Sequence, residues 1–322
     1  MDKTTIKHLM YMPLLGLGLY GGYRGERFLR NRIKIIKQFV VPSLLAQTNK
    51  NFILWISVRR EDKHNKQIKE LKEYFDTITD FKTVITFAGV CFYDDKYEDK
   101  IARERLIDAL QGSMGDLINA IGECSHVLMT IQPSDDIYSI NAIKILQTAF
   151  KESDFEGSGF KNGYIWNMRT KEVREYNPQT NPPFYTIKMP RDVFIDPLAH
   201  ARFTGLKKAV GKYKEGTPIP SHEYVGDAVN YKQIDERGFL VGCHLDNIST
   251  GFDNPYAGDK VSGVLKEFGL ENTEPLKVDF SLGRYILSKL PHKVKRKLRW
   301  WAGEKQWIFR PLFAIIYNIL RS

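Results

Sequence analysis

Through the first 150 residues of this chain, short apolar runs alternate with stretches of helical periodicity, a pattern that few folds accept. Leu9 to Leu15 reads as a first strand, Asn51 to Val58 (NFILWISV) as a second, Thr83 to Ala88 as a third, and the run from Ser125 to Ile131 as a fourth. Between them, Arg27 to Val40 places Phe28, Ile33, Ile36, Phe39 and Val40 at amphipathic-helix spacing, and Pro42 is expected to stop that helix. Lys66 to Phe75 reads as a charged surface helix with Ile68, Leu71 and Phe75 on one face. Ile101 to Ile121 is helical but interrupted by Gly112 and Gly115. Strand–helix alternation of this kind predicts an α/β fold with a mainly parallel, doubly wound sheet.

The fourth strand ends in the most informative stretch, Ser125 to Asp136 (SHVLMTIQPSDD). The apolar or β-prone residues 127–131 run into the turn signal Gln132-Pro133-Ser134 and then into Asp135 and Asp136. A helical pattern follows in Ile140, Ile143, Leu146 and Phe150. Open α/β sheets bind ligands at the carboxyl ends of their strands. Two carboxylates there can hold a divalent cation, and such a cation can bridge a diphosphate. Acidic residues are also favoured in a first helical turn, so capping of the next helix stands beside the ligand reading.

Beyond residue 150 the pattern changes. Tyr164 to Met168 and Val173 to Tyr176 read as a hairpin around Arg169-Thr170-Lys171, and proline-marked loops follow. Phe239 to Cys243 reads as a strand ending at His244. A histidine at a strand end can be a third metal ligand or a hydrogen-bonded structural residue. Glu223, in the segment Pro220 to Tyr224, is a candidate general base or a solvated loop residue, with Asp227 close behind it. The expected organisation is a nucleotide-binding half over 1–155, an acceptor-side mixed α/β half of the same domain over 156–283, and a tail over 284–322.

That tail carries ten Lys/Arg and one acidic residue, Glu304, so nine of the ten net positive charges of the chain sit in it and the body is nearly neutral. Proteins that wrap nucleic acid spread basic residues over a folded face, and this distribution is different. Lys293, Lys295, Arg296, Lys297 and Arg299 interleave with Trp300, Trp301 and later Trp307, which suits the surface of an anionic membrane. Packing on the body and a nucleic-acid arm are the alternatives. No run reaches the length needed to span a bilayer. Cys91, Cys124 and Cys243 are scattered and odd in number, forming neither a zinc pattern nor a disulfide framework, so a reducing, cytoplasmic setting is expected.

Gly16-x-Gly18-x-x-Gly21 has the form of a dinucleotide-binding loop, but Arg59 and Arg60 stand where that fold needs an acidic residue after the second strand. The same loop can instead carry Arg24 or Arg27 toward a phosphate.

Taken in order, these segments resemble a bacterial family of rhamnosyltransferases within the glycosyltransferases of the GT-A fold. The resemblance rests on Arg24 and the helix after it, Pro42-Ser43-Leu44-x-x-Gln47 leading to the strand with Trp55, Pro133-Ser134-Asp135-Asp136, Gly163-Tyr164-x-Trp166, and His244-x-x-Asn247. It covers roughly residues 8 to 250. It implies a GT-A-like sheet with a mixed carboxyl-terminal half, followed by a basic amphipathic helical tail. It also implies a nucleotide-sugar donor, with rhamnose or another hexose as the sugar, and a surface-polysaccharide or lipid-linked acceptor. Arg24, Arg27, Asp135 and Asp136 would then serve the donor. A divalent cation (Mn or Mg) would rest on Asp135, Asp136 and His244, and the base would be Glu223 or Asp227. Pro133 stands where the family's motif has its first aspartate. The protein would be peripheral at the inner membrane face, with no nucleic-acid partner. Two other classes remain open: a metal-dependent nucleotidyltransferase or phosphoesterase, and a non-catalytic membrane-associated glycan-binding protein.

Overall fold

A computed structural model describes residues 5–14, 26–89, 115–195, 225–244 and 251–279, together with Leu290 and Val294. Its central element is a sheet in which β1 (Ile6–Pro13), β2 (Ile53–Arg59), β3 (Lys82–Gly89) and β4 (His126–Ile131) are all parallel, in the order β3-β2-β1-β4. The chain thus moves outward from β1 through β2 to β3 and then returns to the other side of β1. That reversal creates a topological switch point between the carboxyl ends of β1 and β4, where sheets of this type take ligands.

Both faces of the parallel half are covered, which is why its strands read as nearly continuous apolar runs. On β1, Met10 and Met12 point into one apolar layer with Leu54, Ile56, Leu128 and the helices α1 (Glu26–Ile35), α2 (Val41–Leu45), α3 (Lys66–Asp76) and Ala142–Lys151. Leu9 and Tyr11 point into the other, with Trp55, Val127, Met129, Leu117, Ile121 and Phe194. The sheet then turns mixed. β8 (Tyr185–Pro190) runs antiparallel to β4, and β6 (Gly157–Asn167) runs antiparallel to β8 and to β7 (Val173–Tyr176). β9 (Tyr231–Cys243) returns parallel to β6, and β10 (Ala257–Val261) closes the edge on β7. The fold class is the one expected, a parallel doubly wound half continued by a mixed half in one sheet.

Two local expectations are corrected. Pro42 does not end the first helix. A π-helical turn, Ile36–Val40, follows α1, and Val41 N–H bonds back to the Ile36 carbonyl. The shift places Pro42 in the first turn of α2, where its missing N–H costs nothing. The helix after the acidic pair does not begin at once either. A two-residue strand, β5 (Ile137–Tyr138), intervenes, and the helix starts at Ala142 with Asn141 as its cap residue.

The stretch at residues 274–279 straps α1 and the π turn after it in place. Asn31 Nδ2 donates to the Asp279 carbonyl at 2.6 Å, and Gln38 Nε2 donates to the Glu274 carbonyl at 2.8 Å. Leu276 N donates to the Met168 carbonyl at 2.8 Å. No helix among the described residues is long and apolar enough to cross a membrane. The tail, 284–322, lies outside the described residues except for Leu290 and Val294.

Candidate functional site

The turn after β4 is built by hydrogen bonds that leave little freedom. Gln132 N donates to the Tyr11 carbonyl, joining the ends of β4 and β1 at the switch point. The Gln132 amide group donates both to the Pro133 carbonyl at 2.9 Å and to the Asp136 carbonyl at 2.8 Å, and Tyr138 Oη donates to the Ile131 carbonyl at 2.7 Å. β5 then pairs antiparallel with β9, Ile137 opposite Leu240 and Tyr138 opposite Phe239. Continued backward, that register sets Asp136 beside Val241 and Asp135 beside Gly242, two residues before His244, which follows the last residue of the strand, Cys243.

Asp135 is the centre of the site. Its Oδ2 meets Arg32 Nη1 of α1 at 2.5 Å and His244 Nε2 at 3.1 Å. The Arg32 side chain is 4% exposed and that of His244 1%, whereas Asp135 keeps 19%, so the carboxylate faces outward between two enclosed nitrogen groups. The Arg32 Nη1 contact is a charge pair without hydrogen-bond alignment, and the Arg32 guanidinium lies 5.1 Å from the Phe28 ring one helical turn earlier. Burial alone would raise the Asp135 carboxyl. The charge of Arg32, with the hydrogen bond and charge of His244, outweighs it and holds Asp135 well below the usual carboxylate range.

Asp136 behaves in the opposite way. Its Oδ1 accepts from Gly242 N at 2.8 Å, turning the carboxyl onto β9. Burial, and then the adjacent charge of Asp135, push it well above the ordinary carboxylate value, against the pull of the Gly242 N–H and Arg32. The two neighbouring carboxyls are thus pushed in opposite directions, Asp135 toward the ionised form and Asp136 toward the protonated one. Neither aspartate caps the following helix, which begins six residues beyond Asp136.

The other sequence candidates are placed unevenly. Arg27 is in the first turn of α1, about 140° round the helix from Arg32. Asp227 is in the short helix Val225–Ala228, anchored by Val225 in the apolar layer that also holds Tyr185. Arg24, Glu223 and the glycine loop at 16–21 lie outside the described residues. Sequence reasoning missed Arg32. A signal was present: position 32 falls four residues after Phe28 and three before Ile35, on the buried stripe of α1, and a cation there needs an anionic partner.

Asp135 and His244 are the residues present that suit a divalent cation. A hard carboxylate and an imidazole 3.1 Å apart can act as neighbouring donors. With two protein ligands, such an ion would complete its shell with water and substrate phosphate oxygens, the usual arrangement for magnesium. Among the described residues, no group of three or more His, Cys, Asp or Glu side chains gathers around one point, and Asp136 is turned away onto the strand.

No family model matches this sequence, and no curated protein matches it. Among solved structures, the chain is similar to residues 1–349 of S. aureus TarS at 12% identity, covering 98% of this chain and 80% of that one with a TM-score of 0.39. The same protein in complex with UDP-GlcNAc gives 13% identity, 98% and 89% coverage and a TM-score of 0.40. Its complex with UDP gives 12%, 98% and 89%, and 0.36. Overlap at this level assigns no residue and no substrate to this chain.

Proposed function

We propose that this chain is a glycosyltransferase that moves a sugar from a nucleotide-sugar donor to a hydroxyl of a glycan or lipid-linked acceptor. One observation carries the reading: Asp135 stands between Arg32 and His244 at the switch point of a parallel sheet. The leaving group of such a transfer is a nucleoside diphosphate, and a permanent guanidinium beside a cation-binding carboxylate is the chemistry that receives it. Asp135 and His244 would hold a divalent ion, which supplies positive charge to the departing diphosphate. Arg32 would add a second positive group to the same region.

In the transfer, the acceptor oxygen forms a bond to the anomeric carbon while the bond from that carbon to the phosphate oxygen breaks. The electron pair leaves with the diphosphate and the acceptor proton goes to a carboxylate. Glu223 is the residue proposed for that role, with Asp227 as substitute. Arg24 and Arg27, at the loop after β1 and the start of α1, would reach the donor phosphates. By its resemblance the donor sugar is rhamnose or a related hexose. The tail, 284–322, would hold the protein at the anionic inner face of the membrane, near lipid-linked acceptors.

Purified protein screened against UDP-, dTDP- and GDP-sugars, with and without manganese, tests the reading. A donor should raise the unfolding temperature, because a ligand that binds only the folded state stabilises it. Glu223→Gln should keep that shift while lowering transfer by about two to four orders of magnitude. Cleavage at phosphorus with no sugar moved would favour a phosphoesterase. A shift with a free glycan alone would favour a binding protein.

A further inference from the structure

The segment Pro42-Ser43-Leu44-x-x-Gln47 has no part in the site described above, yet its side chains end on the chain that leaves that site. Ser43 Oγ donates to the Tyr138 carbonyl at 2.9 Å, Gln47 Nε2 to the Ser139 carbonyl at 2.8 Å, and Thr48 N to the Ile140 carbonyl at 2.8 Å. Three successive carbonyls shortly after Asp135 are thus taken by donors from the end of one helix. Gln47 Oε1 also accepts from Ile143 N at 3.4 Å, in the first turn of the helix Ala142–Lys151, whose own cap residue, Asn141, supplies no side-chain cap. Ser43 and Gln47 are both buried, where water does not replace a lost side-chain donor. α1, the π turn and α2 follow one another without a break, and the same helical unit carries Arg32 on α1. It therefore meets the chain after β4 at two places. One is Arg32 on Asp135, with Nη1 2.5 Å from Oδ2, and the other is Ser43, Gln47 and Thr48 on residues 138–140. The second contact limits how far the first can drift.

We propose that Ser43 and Gln47 are positioning residues of the donor site: by holding residues 138–140 against the end of α2, they keep Asp135 in register with Arg32 and His244. This rests on the reading of Asp135 as the diphosphate-site residue and extends that site to the far end of the helical unit that carries Arg32. Both residues act through the backbone that bears Asp135, not on the substrate.

The test is a double-mutant cycle on the full chain. Gln47→Met keeps the length of the side chain and removes both of its bonding groups. Affinity for UDP and dTDP is measured by calorimetry, well below the unfolding temperature of each variant, in the parent and in Arg32→Lys, which keeps the positive charge with a different reach. Gln47→Met should weaken nucleotide binding about tenfold in the parent and about twofold or less in Arg32→Lys, because residues that act through one contact do not add. Ser43→Ala should show the same pattern and serves if the methionine variant fails to fold. A second readout needs no nucleotide: the nitrogen NMR resonances of the imidazole rings, with His244 identified by its loss in His244→Gln. An ionised Asp135 only accepts, so His244 Nε2 carries the proton between them. That resonance should shift in Gln47→Met and Ser43→Ala, while the ring of His126, at the opposite end of β4, keeps its position. Nucleotide affinity unchanged in both variants, or lost by the same factor in parent and Arg32→Lys, overturns the proposal. If no nucleoside diphosphate binds the parent, the glycosyltransferase reading falls and the histidine resonances alone decide the positioning role. His244 unmoved, or moving together with His126, then overturns it.

Discussion

Gly242 and Asp135 touch through their backbones: a Cβ built on Gly242 would lie 2.2 Å from the Asp135 carbonyl oxygen, and equally close to Met168 Cε. The absence of a side chain there lets β9 close on the turn after β4, which is what brings His244 to Asp135. The methionine end could yield, but the carbonyl belongs to a turn fixed by Gln132 and cannot move freely.

Gly242→Ala should therefore act on the site before it acts on the fold. Overpacking of this kind costs about 1–3 kcal/mol. The expected outcome is a folded protein with a lowered unfolding temperature and a much weaker nucleotide response in thermal shift. A variant that binds donor as the parent does would show that β9 and the turn need not approach so closely.

The two aspartates should separate on substitution. Asp136→Asn keeps an oxygen for the Gly242 N–H and removes a charge that its surroundings already disfavour. Its stability should stay within about 1 kcal/mol of the parent, with donor binding retained. Asp135→Asn leaves the enclosed Arg32 without its anion. A broken buried pair costs about 3–5 kcal/mol, and the partial exposure of Asp135 lowers this to about 2–3 kcal/mol. Chemical denaturation of both variants measures the difference, and equal losses would contradict the assigned charges.

How far the site was legible follows from its distances along the chain. Strands β1 to β4 announce themselves because both faces are buried and each run is bounded by a turn. The acidic pair at the end of β4 was readable for the same reason. Pairing of Ile137 with Leu240 was not, because β5 is two residues long and its partner lies about a hundred residues away with no local signal. His244 could be named as a ligand candidate but not placed. Arg32 was hidden among apolar neighbours, where a helix pattern draws the eye to Phe28 and Ile36. Pro42 misled because a π turn, invisible in periodicity, shifts the helix register past it.

His8 gives a pH prediction away from the site. It is buried on β1, with Nε2 at 2.7 Å from Thr130 Oγ1 and Nδ1 at 3.2 Å from Gln147 Nε2. Gln147 can only donate at that atom, so Nδ1 carries a lone pair and the ring is neutral. Burial lowers its pKa from 6.5 to about 3. The folded value lies below the unfolded one, so this stability is complete above about pH 6.5 and is lost as pH falls toward 3. Between pH 7.5 and 5.5 the group should contribute a loss of about 1.4 kcal/mol. Urea unfolding at the two pH values should show that loss in the parent and correspondingly less in His8→Gln. Identical pH dependence in the two proteins would mean that His8 is not held neutral.

The tail prediction separates membrane attachment from catalysis. Removing 284–322 takes away nine of the ten net positive charges and Trp300, Trp301 and Trp307, yet leaves Arg32, Asp135, His244 and Glu223 in the chain. The strap that pins α1, ending near Asp279, is also retained. The truncated protein should keep its unfolding temperature and transfer sugar to a small dissolved acceptor, but should no longer sediment with anionic liposomes. Binding of the full chain should weaken as salt rises, since each Lys or Arg near the surface contributes about 1 kcal/mol of attraction that ions screen. A salt-resistant part should remain, because tryptophan burial at the interface does not depend on charge. A truncated protein that unfolds or precipitates would instead mean that the tail covers apolar surface of the body, and the membrane assignment would be withdrawn.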